Sequence, residues 1–168
     1  FYETDTPKSV DEPGVIRSPG WMARGMKQMA RWHKPFYAGL TSYGHALAFD
    51  EKGKYRGIFH SFGAAEAVRH PSFAHRKSYA ADPSGKPAAP GNWNGEEMVV
   101  YEAIKAGRDG QGLGYRLVYD LPTAESVRQQ WNELKRLQPS NCLGASFYRF
   151  PAPEEADTIP TSAIRDAI

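Results

Sequence analysis

Pro35-Phe36-Tyr37-Ala38-Gly39-Leu40-Thr41-Ser42-Tyr43-Gly44 sets the architecture expected for this chain. A proline opens a short apolar run, and small polar residues with a Tyr-Gly close it. Two later stretches have the same shape. Gly114-Tyr115-Arg116-Leu117-Val118-Tyr119-Asp120-Leu121-Pro122 ends in a polar residue and a proline, and Leu143-Gly144-Ala145-Ser146-Phe147-Tyr148-Arg149-Phe150-Pro151 ends in Tyr-Arg-Phe-Pro. Strands that finish in such residues and alternate with helices are the pattern of a parallel α/β architecture. Sites in those folds gather at the carboxyl ends of the strands.

Outward from these runs, residues 19–33 read as a helix with Met22, Met26, Met29 and His33 on one stripe. A core face explains those methionines better than a set of sulfur ligands. Residues 1–5 read as the end of a strand, and residues 6–20 as a loop rich in Pro, Gly and charge. Ala46-Leu47-Ala48-Phe49 and Tyr55-Arg56-Gly57-Ile58-Phe59 flank Asp50-Glu51-Lys52-Gly53-Lys54, which predicts a β-hairpin projecting from the preceding strand. Residues 64–69 suggest a helical turn, with a basic, histidine-bearing stretch after it through Tyr79. Residues 81–94 carry Asp-Pro, Ser-Gly, Lys-Pro and Ala-Pro-Gly and read as a flexible surface loop. Residues 96–106 read as a helix with Val100, Ala103 and Ile104 inward and Gly107 as its stop. Thr123 caps a further helix whose stripe is Val127, Trp131, Leu134 and Leu137, closed by Pro139. The expected fold is therefore α/β, a single unit over residues 1–168, either one half of a (β/α)8 barrel with a hairpin excursion or a small open sheet.

The 168 residues suffice for one core, and 21 basic against 19 acidic side chains leave a net charge of +2. That balance makes no case for a nucleic-acid or anionic-membrane partner. No apolar stretch is long enough to span a bilayer. The chain opens on Phe1 rather than Met, as a removed leader or a piece of a longer chain would leave it. Cys142 is the sole cysteine, so no internal disulfide forms; at the start of a strand it reads as a buried, inert thiol rather than a nucleophile. The four Trp, nine Tyr and eight Phe suit sugar-binding clefts and ordinary cores alike.

The run from Pro35 to Gly44, its continuation Ala46-Leu47-Ala48-Phe49-Asp50-Glu51-Lys52-Gly53, and Gly144-Ala145-Ser146-Phe147-Tyr148-Arg149-Phe150-Pro151 carry a resemblance. Together they resemble the C-terminal part of a bacterial domain-of-unknown-function family whose members look like glycoside-hydrolase TIM barrels. Late strands in that family end in Pro-Phe-…-Leu-Pro-Tyr-Gly, a hairpin turns on Asp-…-Gly, and a final strand closes on Phe-Arg-Leu-Pro. This chain departs from the pattern at Thr41-Ser42, where the family has a proline-containing turn, and at Tyr-Arg-Phe-Pro. The resemblance covers a third of the chain and implies barrel strands five to eight, a carbohydrate partner, and export to the periplasm or outside. It also implies a partner chain or self-association to complete the barrel, since a half barrel leaves strand edges unpaired.

Asp120 is the candidate carboxylate, at what the resemblance makes the seventh strand end; capping of the helix near Thr123 is its plainer role. Glycoside hydrolysis takes two carboxyl groups, about 5 Å apart for retention and farther apart for inversion. Glu3, beside Asp5 near the first strand end, is the visible second candidate. Tyr43 and His45 follow the first strong strand and could orient sugar hydroxyls or simply pack on the hairpin. Tyr148 and Arg149 close the last strand; Arg149 could fork onto a carboxylate or a uronic acid, or form a structural ion pair. Trp93, in the long loop, could stack on a sugar face. Nothing calls for a cofactor. His60, Arg69, His70, His75, Arg76 and Lys77 suggest either a solvated basic loop or a nuclease-like, phosphate-binding one, and their spacing matches no metal signature. The glycines from Gly107 to Gly114 precede a strand and read as a turn rather than an anion cradle. The rival to a carbohydrate-active domain is a non-enzymatic interaction or assembly domain on a barrel-derived scaffold, with a nuclease-like toxin using the His/Arg-rich loop as the third class.

Overall fold

The computed structural model describes residues 7–15, 19–93, 95–106, 112–148 and 158–168. Its elements are α1 (Pro19–Ala30), β1 (Phe36–Thr41), β2 (His45–Phe49), β3 (Tyr55–Phe59), α2 (Ala64–Ala67), β4 (Phe73–Ala80), β5 (Glu96–Ala103), β6 (Arg116–Pro122), α3 (Ala124–Leu137), β7 (Cys142–Tyr148) and α4 (Thr161–Ala167). They build two sheets. Five strands in the order β3-β2-β6-β5-β4 are antiparallel at every pairing, while β1 and β7 form a separate parallel pair.

This corrects the half-barrel expectation. Helices join strands only twice, the four-residue α2 between β3 and β4 and the longer α3 between β6 and β7. The strand from Arg116 to Pro122 does not lie beside β1 and β7; it runs antiparallel between β2 and β5. The segment expected as a helix over residues 96–106 is β5. Its apolar run reads ambiguously because both of its faces are buried: Met98 and Val100 lie in one core cluster, Val99, Tyr101 and Ala103 in the other. A strand covered on both sides loses its alternation of two, and β-branched and aromatic content is then the better guide. The basic stretch through Tyr79 is likewise a strand, β4, at the edge of the sheet, with a bulge between His75 and Lys77. The expected strand over residues 1–5 lies outside the described residues.

The hairpin is where the sequence placed it. Asp50 organises the turn: its carboxylate accepts from the Lys52 and Lys54 backbone N–H groups at 3.0 and 2.9 Å and pairs with Arg56 at 2.8 Å. Gly53 takes φ +78° there. Asp82-Pro83-Ser84-Gly85-Lys86 repeats the device after β4. The Asp82 carboxylate accepts from the Ser84 and Lys86 N–H groups at 2.8 and 3.1 Å, and Gly85 sits at φ +82°. In both turns the glycine N–H donates to the aspartate carbonyl at 2.9 Å, the bulged hairpin turn that favours Gly at the left-handed position.

The five-stranded sheet is sandwiched. Ala46, Ala48, Leu117 and Tyr119 face a layer made by α2, Phe62 and Phe73. Leu47, Phe49 and Val118 face Val10 and Val15 on the other side. The parallel pair packs one face on α1 and α3 through Met22, Met26, Phe36, Ala38, Leu40 and Leu134, with Cys142 buried among them. Val127 of α3 joins Ile159, Ile164 and Ala167 of the C-terminal segment in a fourth cluster. Among the described residues no helix is long and apolar enough to cross a membrane.

Candidate functional site

The two sheets meet at one seam. β1 runs out at Thr41, the chain crosses through Ser42-Tyr43-Gly44, and β2 begins at His45. Three register pairs follow one another along this crossing: Thr41 opposite Tyr148, Tyr43 bridged to Thr158, and His45 opposite Asp120. Tyr43, His45, Asp120 and Tyr148, which the sequence places at three separate strand ends, thus come together. Trp93 stands at the same end of the larger sheet, where its indole N–H donates to the Glu96 carbonyl at 2.8 Å. Glu96 is opposite Pro122, two residues past Asp120. Glu3 and Arg149 lie outside the described residues.

The packing that holds this seam is tight. A Cβ on Gly44 would stand 2.1 Å from the Asp120 carbonyl oxygen, so only glycine lets the crossing strand pass β6. Gly95, at φ +85°, lies equally close to α3, where a Cβ would meet the Ser126 Cα at 2.5 Å. Thr123 joins these parts. Its hydroxyl donates to the Gly95 carbonyl at 2.6 Å and accepts from the Glu125 and Ser126 N–H groups at 3.2 and 3.3 Å. Helix capping therefore belongs to Thr123 and not to Asp120. Gln130 of α3 completes the frame. Its side-chain amide accepts from the Thr41 N–H at 2.9 Å and donates to the Thr41 carbonyl at 3.1 Å, as a neighbouring strand would.

Asp120 is fully buried, and its carboxylate stands 3.8 Å from the buried Nδ1 of His45, a side chain that elsewhere keeps a little exposure. Strand alternation puts Asp120, His45 and Glu96 on the face that carries Val118, Leu47 and Met98. Glu96 is fully buried too. The diagonal from Asp120 to Glu96 is roughly 7–8 Å, the spacing of residues two apart on neighbouring antiparallel strands. Tyr79, opposite Met98, adds a phenol pushed up to about 12, first by burial and then by the charges of Asp11, Asp120 and Asp82. It stays protonated and donates to the Gly85 carbonyl at 3.1 Å. Glu96 and Gln130 were missed in the sequence. Glu96 was assigned to a helix, and Gln130 has no signal beyond its place on α3.

The basic stretch builds no common site. His70 stacks on Phe62 with ring centres 4.8 Å apart, and its Nδ1 accepts from the Ser72 N–H. His75 bonds Ser78 at 2.8 Å and meets Tyr101 edge-on. Arg76 pairs with Glu102 and Lys77 with Asp11. Carboxylates thus answer the two strand cations Arg76 and Lys77. Among the described residues no three His, Cys, Asp or Glu side chains are arranged to hold a metal ion.

No protein-family model and no curated protein matches the chain. Two solved structures are similar to it. One is the C-terminal domain of a putative chitinase from Desulfitobacterium hafniense, with a TM-score of 0.55 at 12% identity, covering 99% of this chain and 44% of that one. The other is a chitinase from Chromobacterium violaceum, with a TM-score of 0.49 at 13% identity, covering 99% of this chain and 43% of that one. The chain thus spans less than half the length of either neighbour. The first likeness is one of fold, over nearly the whole of this chain.

Proposed function

We propose that this chain is a carbohydrate-binding domain whose glycan site is the seam between its two sheets. The observation that carries this reading is the fold shared, over 99% of the chain, with the C-terminal domain of a putative chitinase. The cluster of Tyr43, His45 and Trp93 at one end of the sheets supports it with the side chains that sugar recognition uses: flat rings with a polar edge, and an imidazole that donates or accepts. Arg149, directly after β7, is a further candidate in the same stretch.

Binding without hydrolysis fits the seam best. Asp120 is fully buried, out of reach of a sugar ring, so its proposed part is to position His45 rather than to act as nucleophile. The test is calorimetric titration with chitooligosaccharides and a panel of other soluble glycans, alongside an assay for new reducing ends. Saturable binding that Tyr43→Ala and His45→Ala weaken, without new reducing ends, is the expected result. Absence of binding across the panel refutes the reading. New reducing ends lost in Asp120→Asn would restore the catalytic role.

A further inference from the structure

We infer that the outer side of α1 and the turn that follows it form a docking surface for the headgroup layer of an anionic lipid membrane; the inference is independent of the carbohydrate-binding reading. A net charge of +2 conceals an uneven layout. Residues 13–49 hold five Lys and Arg and no Asp or Glu, while the rest of the chain holds sixteen against nineteen. Arg24, Lys27 and Arg31 recur at i, i+3 and i+7, on the side of α1 opposite the Met22 and Met26 that enter the core. All three are exposed, and so is Lys34 just past the turn. Several cations elsewhere are answered: Arg76 by Glu102, Lys77 by Asp11, Lys86 by Glu12 and Arg136 by Glu133. Among the described residues no carboxylate pairs with Lys27, Arg31 or Lys34. Uncompensated cations on one side of a fold attract an anionic partner.

Charge alone would suit any polyanion; the apolar groups beside these cations select lipid. Trp32, between Arg31 and Lys34, is 59% exposed, and Leu143 is 57% exposed. Asn141 ties the two places together. Its side-chain amide donates to the Met29 and Lys34 carbonyls at 3.3 and 3.0 Å, and its carbonyl accepts from the Phe36 N–H at 3.1 Å. The turn after α1 is thus fastened to the start of β7, two residues before Leu143. Exposed Tyr37 stands opposite Gly144, the next residue along. An aliphatic side chain such as Leu143 adds nothing to the recognition of phosphate or nucleic acid. The boundary between headgroups and acyl chains takes indole, phenol and aliphatic groups together, with Lys and Arg reaching the headgroup charges. The cations therefore hold the surface at the membrane, and Trp32 and Leu143 enter its outer layer.

The test sediments the 168-residue chain with vesicles of phosphatidylcholine alone and of phosphatidylcholine and phosphatidylglycerol in equal parts, at low salt and in about 1 M salt, where charges are screened within about 3 Å. One variant carries Lys27→Gln, Arg31→Gln and Lys34→Gln. A control carries Lys52→Gln, Lys54→Gln and Lys105→Gln, which remove the same charge from exposed positions elsewhere. Thermal melts verify that every variant folds. Expected is binding to the anionic vesicles alone, released by salt, and weakened roughly a hundredfold in the first variant, at about fivefold for each cation near the surface. The control should stay close to wild type. Trp32→Ala and Leu143→Ser should each cost about fivefold to tenfold. Absence of wild-type binding, equal binding to neutral vesicles, or equal losses in the two triple variants overturns the inference. Indifference to both Trp32→Ala and Leu143→Ser, or retention on duplex DNA without vesicle binding, would make the surface a general polyanion site and refute the lipid.

Discussion

Gly44→Ala is the sharpest perturbation of the seam. The added Cβ would stand 2.1 Å from the Asp120 carbonyl oxygen and 3.2 Å from both its carbon and the Pro122 Cδ. The oxygen belongs to the backbone of a central strand and cannot rotate away. Ordinary contact begins near 3.4 Å, so β2 and β6 must part by more than an ångström where His45 faces Asp120. Overpacking typically costs 1–3 kcal/mol, and a backbone clash belongs at the top of that range, at about 3 kcal/mol. For a domain of this size the melting temperature should fall by about 6–12 °C. Scanning calorimetry and urea unfolding measure it, with the urea slope unchanged if only stability moves. Gly112→Ala is the control, because nothing lies within 4 Å of its Cβ; it should stay within about 0.5 kcal/mol of wild type. A Gly44→Ala protein melting within about 2 °C of wild type would refute the argument, since the crossing would then have slack.

Two further outcomes follow, one from the frame around that crossing and one from an ion-pair cluster elsewhere on the surface. Gln130→Leu removes the amide that answers both backbone groups of Thr41 and leaves them unpaired, a loss of about 1–3 kcal/mol; Gln130→Glu, which keeps the acceptor and loses the donor, should fall between Leu and wild type in the same urea titration. Acid sensitivity has a defined sign: hydrogen bonds from Lys8 and then Lys86 hold the Glu12 carboxyl at about 2, below its ordinary 4.5, so its contribution is present above pH 4.5 and is lost as the pH falls towards 2. Asp50 shifts the same way, first through the Lys54 backbone N–H. Melting temperatures recorded across that window should decline less steeply in Glu12→Gln than in wild type, and equal slopes would count against the Lys8–Glu12–Lys86 cluster.

Much of the local structure was legible where side-chain chemistry acts within a few residues. Asp50 and Gly53 announced a hairpin because the carboxylate and the left-handed glycine build the turn themselves. Thr123 announced α3 because its hydroxyl answers the first free N–H groups. The same turn at Asp82 was hidden by the prolines around it, which made residues 81–94 read only as a loop. β5 was read as a helix because burial on both faces erased its alternation. Strand direction was the larger loss. Nothing in Arg116–Pro122 distinguishes a strand beside β1 from one antiparallel to β2, since pairing depends on partners seventy residues away.

The seam shows why part of the candidate site could be read while its assembly could not. Tyr43, His45, Asp120 and Tyr148 were noticed because polar or aromatic groups at the ends of apolar runs are conspicuous. They were assigned to the mouths of neighbouring parallel strands, yet they meet because the chain leaves one sheet at Thr41 and enters another at His45. That crossing needs a residue with no side chain against β6, an amide to finish the edge of β1, and a hydroxyl to tie α3 to β5. Gly44, Gln130 and Thr123 supply these through hydrogen bonds or contacts that reach across as many as 89 residues of sequence. Such contacts have no local period, so no window along the chain can reveal them. The groups that would touch a ligand are thus the readable ones, and the groups that hold them in place emerge only from the pairing of the strands.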